Sequence, residues 1–469
     1  MSLRASLAYI TVRAVSGVLS VCSLSLFVRG LGAEEYANFA LGLAAAALVS
    51  TVLMIPLNTT LARLYGDSTL RARVQASLLA AVLGFGGGLL VAALVAEWLG
   101  ASWLAPWVLP AAALFAATQG VLDFSVQRAN SALETRRYGY LLLVKAVAVI
   151  GLGVATIHLF NGAPALLLAM SMACMISVAG SMRGRFSLRG CDASLAPRIA
   201  GFAAPLMVTC FLSYLLNWGD RYLLMHFVPM AELGRYSALA DLTQQTLVLV
   251  CSGLGAAWYP RIVQAWGAGQ REEAQRLFSR YAVIAVSLVM PAAIGFSFLL
   301  SPAAALLFGQ GFADLPPNLP TLLVLAAVVG GCKSFYFDVP LLLAERTWQL
   351  AGGIALSAAM SLVLMSWALP RHGISGAAMG LLCGQTLGLL YSFLMGRAVL
   401  HHRLGSRQLF TVLVASAVMG CGLWAWQPGG FAGLLLRFLT AVLIYALVLL
   451  VLDFDGARAR IAGALRRTP

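Results

Sequence analysis

Apolar residues occur along this chain in runs of about 20, and short polar connections separate the runs. At a rise of about 1.5 Å per residue, a helix of that length crosses a hydrocarbon core about 30 Å thick. Proline and glycine lie inside several runs, which argues against membrane β-strands, because those show short segments of alternating hydrophobicity. The pattern predicts an all-α integral membrane protein with about fourteen transmembrane helices. The predicted spans are residues 7–28, 36–57, 76–95, 103–126, 139–159, 163–182, 199–217, 236–258, 281–300, 319–337, 350–369, 373–395, 409–426 and 431–452.

Composition supports membrane helices and excludes an ordinary soluble domain. Hydrophobic residues make up 61% of the chain, charged residues only 10%, and the mean hydropathy is +0.89. Soluble domains carry about a quarter charged residues. The short connections between the runs also leave no room for a soluble domain that binds a nucleotide or a sugar donor.

A net charge of +14 would also suit a nucleic-acid-binding protein, but the positive charges of this chain are distributed as in a membrane protein. Arginine is concentrated in alternate connections, which is the positive-inside pattern of membrane proteins. With the basic connections and both tails in the cytoplasm, the opposite side holds only Arg29, Arg221, Arg235 and Arg371. We therefore predict cytoplasmic termini, a lipid bilayer as the surroundings, and no nucleic-acid partner.

A basic connection near the middle of the chain divides the first twelve predicted helices into two sets of six. The segment at residues 33–41, after the first helix, is similar to residues 231–239, after the seventh. Since six is an even number, two such lobes insert in the same orientation and are related by a parallel pseudo-twofold. Chance similarity between membrane sequences is the alternative explanation. The predicted domains are an N-terminal six-helix lobe (1–182), a basic cytoplasmic connection (183–198), a C-terminal six-helix lobe (199–403), and an appended helix pair with a basic cytoplasmic tail (404–469).

Signatures of enzymes and cofactor sites are missing. The chain has no GxxxxGK[ST], HExxH or GxSxG motif, and its eight cysteines show no CxxC spacing. The sequence therefore predicts a protein that is not an enzyme, has no cofactor and has no metal site.

Polar residues inside the predicted spans are the candidates for function, because a charge at the centre of a membrane helix costs about 2.5–3.5 kcal/mol on insertion scales. Helical spacing aligns polar residues into stripes on the first, seventh and eighth helices, which indicates a water-filled central cavity. The stripes contain Ser16, Ser20, Thr209, Ser213, Asn217, Gln244 and Gln245. Asp241 lies beside the two glutamines and is the candidate for coupling or gating. The alternative is that these side chains only form hydrogen bonds across tight helix interfaces.

Three strings of sequence resemble one family of transporters: LGAEEYANFAL, DRYLLMHFVPMAELGRYSALADL and LLFGQGFADLPPNLPTLLVL. Together with the order of the helices, they resemble Wzx-type polysaccharide flippases of the multidrug/oligosaccharidyl-lipid/polysaccharide exporter superfamily. The resemblance implies alternating-access transfer of undecaprenyl-pyrophosphate-linked oligosaccharide from the cytoplasmic to the periplasmic leaflet of a bacterial inner membrane. It also implies a role in surface polysaccharide or O-antigen assembly, beside other assembly proteins as further partners.

The resemblance further implies a cationic cavity for the pyrophosphate. The residues that can form it are Arg13, Lys145, Lys333 and the Asp220 and Arg221 pair. Arg13, Lys145 and Lys333 lie four to six residues, about 6–9 Å, from the cytoplasmic edge of their predicted spans, and this similar depth predicts a cationic entrance for the head group. The alternative is that these side chains extend to the cytoplasmic interface.

Two other functions are consistent with parts of the sequence. A cation-coupled drug or metabolite antiporter of the same superfamily would use an acid such as Asp241 but needs no path for a polyprenyl tail. A membrane glycosyltransferase or polymerase usually has a sizeable loop outside the membrane with catalytic Asp, Arg or His, and this chain has no such loop.

Overall fold

The computed structural model describes residues 3–65, 70–160, 162–181, 188, 190–312, 315–401 and 405–454, with side chains from Val15 onward except that of Gln310. Within these residues every regular element is helical. The α-helices are α1 (Leu3–Val49), α2 (Ile55–Leu64), α3 (Arg71–Trp98), α4 (Val108–Ser131), α5 (Thr135–Leu159), α6 (Ala163–Ser181), α7 (Ala196–Phe227), α8 (Met230–Thr243), α9 (Leu249–Gly267), α10 (Arg271–Phe308), α11 (Leu319–Cys332), α12 (Val339–Leu343), α13 (Thr347–Gly396), α14 (Ser406–Ala425) and α15 (Gly430–Val451).

Twelve helical segments of the described chain are long and apolar enough to cross a membrane. Two of them, Val15–Leu64 and Thr347–Gly396, are 50 residues long, and each is interrupted by a glycine with non-helical backbone. These are Gly32, with φ of 76°, and Gly373, with φ of 54°, values that glycine adopts without the steric cost of a side chain. Each of the two segments therefore contains two spans. With both segments divided in this way, the twelve segments are long enough for fourteen spans. The apolar helices confirm the predicted all-α membrane fold.

Three π-helical turns lie within the long helical segments, at Ser50–Met54, Gln244–Val248 and Lys333–Phe337. Such turns insert one extra residue into the helical hydrogen-bond pattern and occur frequently at functional sites. The second contains Gln244 and Gln245, and the third begins at Lys333. Predicted site residues thus lie where the helix departs from regular geometry.

Packing divides the chain into two compact units, residues 1–238 and 239–469. In the first unit, α6 packs against both α4 and α5, α3 packs against α4, and α1 contacts α4, α5, α6 and α7. In the second unit, α11 packs against α13, α10 against α9 and α14, and α14 against α15. The six-helix lobes predicted on either side of residues 183–198 remain a prediction.

In the first unit, the segment at residues 33–41 meets residues 231–238 of the segment that is similar to it. A side chain at Gly234 would overlap the carbonyl oxygen of Ala33, so the two backbones are in direct contact. Tyr36 and Tyr236 are both fully buried. The Glu35 carboxylate accepts a hydrogen bond of 3.0 Å from the backbone N–H of Ala163, the first residue of α6, where helical N–H groups lack partners. These segments therefore help to form the core of the unit.

Candidate functional site

A polar cluster joins three membrane helices of the first unit. The Lys145 ammonium group of α5 donates a hydrogen bond of 2.8 Å to the side-chain oxygen of Gln119 on α4. The amide nitrogen of Gln119 donates in turn to the Asp123 carboxylate, at 2.7 Å. Cys174 of α6 contributes a thiol whose sulfur lies 3.4 Å from the same Gln119 oxygen. A neutral amide thus links a cation to a carboxylate inside the membrane-spanning region.

Gln119 and Cys174 were not among the predicted site residues, and Asp123, a charge inside the fourth predicted span, was expected to have a structural role. Gln119 and Asp123 are four residues apart, so a helix places them on one face, and this spacing was visible in the sequence. The sequence did not show that Lys145, 26 residues away on another helix, faces them.

A second polar cluster lies in the second unit and contains a direct ion pair. The Lys333 ammonium nitrogen is 3.0 Å from one carboxylate oxygen of Asp338. The Ser392 hydroxyl of α13 donates a hydrogen bond of 2.6 Å to the other oxygen of this carboxylate. The side chains of Lys333 and Asp338 are only 2% and 7% exposed. The two charges compensate each other, so a phosphate would have to replace Asp338 in order to bind Lys333.

The Asp220 and Arg221 pair is buried in the C-terminal part of α7, beyond the predicted end of the span at residue 217. The Asp220 carboxylate accepts from the backbone N–H of Arg221 and from the hydroxyl of Tyr236, each at 2.9 Å. The Arg221 guanidinium lies over the ring of Trp218, at 4.2 Å, in a cation–π contact. Nearby on α7, the Tyr214 hydroxyl donates to the carbonyl of Ala44.

The remaining predicted residues form no single cluster among the described side chains. Thr209 donates to the carbonyl of Leu206, and the Asn217 amide donates to that of Ser213, so both interact with their own helix. Every residue of the predicted stripes is half-buried or exposed, as is Asp241; the stripe residues are Ser16, Ser20, Thr209, Ser213, Asn217, Gln244 and Gln245. The Arg13 side chain lies outside the described residues. The cavity and the coupling role of Asp241 therefore remain predictions.

Over the described ranges, no three or more His, Cys, Asp or Glu side chains lie close enough together to hold a metal ion.

Comparison with known proteins gives a family and a fold. The sequence profile of the family described as "Polysaccharide biosynthesis protein" matches residues 2–266, more than half of the chain. The lipid II flippase MurJ, in an inward closed conformation, is similar over 97% of this chain and 100% of its own, with 12% identity and a TM-score of 0.74. No curated protein sequence matches the chain.

MATE transporters are similar over a smaller share of the chain. An inward-facing multidrug resistance MATE family transporter of the MOP superfamily covers 81% of this chain and 94% of its own, with 16% identity and a TM-score of 0.63. The Vibrio cholerae MATE transporter VcmN, in a bent form, covers 85% and 98%, with 17% identity and a TM-score of 0.52.

Proposed function

This chain belongs to the polysaccharide biosynthesis protein family, and we propose that it is a flippase for undecaprenyl-pyrophosphate-linked oligosaccharide repeat units. Transfer would run from the cytoplasmic to the periplasmic leaflet by alternating access, for surface polysaccharide or O-antigen assembly. The membership agrees with the resemblance seen in the sequence. The observation that carries the proposal is that similarity to a lipid II flippase extends over nearly all of this chain and all of the other.

The polar clusters suggest how an amphiphilic substrate would be held. A pyrophosphate that leaves water needs charge-assisted hydrogen bonds, which are about twice as strong as neutral ones. Lys145 provides an ammonium group that donates to the neutral amide of Gln119. A phosphate can displace a neutral amide from a lysine at lower cost than it can displace a carboxylate. In this proposal Lys145 and Arg13 are the main ligands of the head group, and sugar hydroxyls bind the amide and hydroxyl groups of the stripes.

The test of function is complementation of a flippase-null bacterial strain, followed by transport in proteoliposomes with a fluorescent lipid-linked oligosaccharide. We expect restored surface polysaccharide and protein-dependent transfer of the fluorescent lipid between leaflets. Complementation failure at matched membrane levels, together with efflux of organic cations by the same proteoliposomes, would instead identify an antiporter. That second candidate is favoured by the similarity to the MATE transporters and by Asp241 beside two glutamines.

We expect Lys145→Ala to lower transport of the lipid-linked substrate by about tenfold or more, since one charge-assisted hydrogen bond contributes about 1.5–3 kcal/mol. The measurement is the initial transfer rate in proteoliposomes at equal protein density. Arg371→Ala removes one exposed cation that stacks on Trp367 and is the control, with an unchanged rate expected. An equal rate for Lys145→Ala and the wild type would exclude Lys145 from the head-group site.

The proposed location is the bacterial inner membrane with both termini in the cytoplasm. It predicts that a cysteine at position 189 reacts with an impermeant maleimide only from the cytoplasmic side, and one at position 311 only from the periplasmic side. The test uses Arg189→Cys and Gly311→Cys in a variant whose eight natural cysteines are replaced. Labelling of both positions from the same side would overturn the topology.

A further inference from the structure

The first unit contains an apolar groove that no predicted site explains. It has a volume of about 450 Å³ and lies between α3, α4 and α6. Its walls include Leu79, Val82, Gly87, Ala117, Val121 and Met175. The hydroxyl of Thr118 also borders the groove, but it donates to the carbonyls of Leu114 and Phe115 in its own helix. The groove therefore suits a hydrocarbon ligand and not a sugar.

Glycines on α3 keep this groove open. Gly86 lies close to Ala117, which allows α3 and α4 to approach each other. By contrast, a side-chain carbon at Gly84, Gly87 or Gly88 would meet no atom within 4 Å. Glycine inside a helix costs about 1 kcal/mol relative to alanine. Packing within the protein accounts for Gly86 but not for Gly87, whose missing side chain widens the groove.

The position of the groove matches one leaflet of a bilayer. It is lined by α3, a helix long and apolar enough to cross the membrane, so we place it at the level of the hydrocarbon core. The groove extends from Leu79 to Gly87, about 12 Å along the helix at about 1.5 Å per residue, and Leu79 is about 9 Å from Arg73. Half of a hydrocarbon core is about 15 Å thick. An acyl chain in the groove would therefore have its head group near the first turn of α3.

Two arginines lie at that end. The Arg71 Nε donates to the carbonyl of Tyr65, at 2.9 Å, and its guanidinium lies 4.7 Å from the centre of the Tyr65 ring. These contacts fix the guanidinium, and its terminal amino groups have no partner within the described residues. Arg73 forms an ion pair with Asp192, and its side chain is 50% exposed. Basic residues at the cytoplasmic end of membrane helices are a recurrent site for anionic lipid head groups.

We propose that the groove binds one acyl chain of an anionic glycerophospholipid whose phosphate contacts Arg71 and Arg73. The arginines supply the charge complementarity, and the depth of the groove matches the length of the chain. The bound lipid fills a space between α3 and α4, and it thereby gives the side chains that line this space van der Waals contacts that they would otherwise lack. This inference does not depend on the proposed transport function.

The test measures thermal unfolding of the purified full-length protein in detergent, with added phosphatidylglycerol or phosphatidylcholine of the same acyl chains. We expect phosphatidylglycerol to raise the melting temperature more at equal concentration. Gly87→Leu should weaken the apparent affinity for phosphatidylglycerol about tenfold, since displacing roughly two methylene groups from the groove has that effect. Gly84→Leu is the matched control: this glycine is on the same helix and has open space, but it does not line the groove.

Arg71→Gln keeps a donor for the Tyr65 carbonyl and should abolish the preference for phosphatidylglycerol over phosphatidylcholine. Equal stabilisation of the wild type by the two lipids would overturn the proposal, as would equal affinities for Gly87→Leu and Gly84→Leu. Stabilisation by undecaprenyl phosphate, with none by phosphatidylglycerol, would also overturn it and would assign the groove to a polyprenyl tail.

Discussion

Lys333→Met is expected to lower the free energy of unfolding by about 3–5 kcal/mol, because it leaves the buried Asp338 carboxylate without its cation. In the wild type the ammonium and the carboxylate are 3.0 Å apart, and both side chains are almost completely buried. Removing one partner of such a pair costs more than removing both, since the remaining charge stays in a medium of low dielectric constant. Denaturant unfolding of the purified protein in micelles measures the change, and immunoblots give the level in the membrane.

The matched control is an exposed ion pair in the same unit. Glu273 and Arg276 lie on the first turns of α10, and a guanidinium nitrogen of Arg276 is 3.9 Å from a carboxylate oxygen of Glu273. Their side chains are 49% (Glu273) and 74% (Arg276) exposed. Glu273→Gln should change stability by less than about 1 kcal/mol, as is usual for surface pairs. Lys333→Met combined with Asp338→Leu should recover most of the stability lost in the single variant. A double variant as unstable as Lys333→Met alone would contradict charge compensation as the cause.

The double variant also separates the structural role of Lys333 from its predicted role in head-group binding. If stability returns and transport returns with it, the lysine acts only as the partner of Asp338. If stability returns and transport stays low, the ammonium group contributes to the substrate path. The sequence alone could not pose this question, because Ser392, which also binds Asp338, is 54 residues away on another helix.

The spans could be predicted from the sequence because the membrane imposes one simple requirement on length and polarity. The predicted breaks at residues 29–35 and 370–372 fall beside or around Gly32 and Gly373, where the backbone leaves helical geometry. Helix ends were harder to predict. The seventh span was expected to end at residue 217, yet α7 continues to Phe227. Hydropathy marks the end of the apolar stretch, whereas the helix continues through Asp220, whose carboxylate accepts from the Tyr236 hydroxyl, and Arg221, whose guanidinium lies over the Trp218 ring.

The candidate site was less predictable for a different reason. A stripe of polar residues on one helix shows which side chains share a face, but not which neighbouring helix that face meets. Lys145 was found from its charge, whereas Gln119 is neutral and became significant only through its bonds to Lys145 and Asp123. Similarly, the segment at residues 33–41, which contains Glu35 and Tyr36, was singled out in the sequence by its similarity to residues 231–239. Its role at the start of α6 and in the core depends on residues far away in sequence.

Regularly spaced glycines explain how the two halves of α13 pack. Glycines occur at every fourth position in the second half: Gly376, Gly380, Gly384 and Gly388. This spacing places them on one face, and small residues on such a face allow membrane helices to approach closely. Ideal side-chain carbons at Gly376 and Gly380 would lie 2.5 Å from the carbonyl oxygen of Ala368 and 2.6 Å from the nitrogen of Met365. The face therefore packs directly on the backbone of the first half.

Gly384→Ala is expected to destabilise the protein by about 3 kcal/mol, the upper part of the range for overpacking. The new methyl carbon would lie 2.6 Å from the carbonyl oxygen of Ser357 and from the nitrogen of Ser361, and backbone atoms cannot move aside as a flexible side chain can. The control is Gly253→Ala on α9, where the methyl group meets no atom within 4 Å. That change should stabilise the protein by about 0.5–1 kcal/mol, because alanine is the better helix former. Denaturant unfolding of both variants in micelles should therefore give shifts of opposite sign, and a stabilised Gly384→Ala would show that the two halves of α13 do not pack through this face.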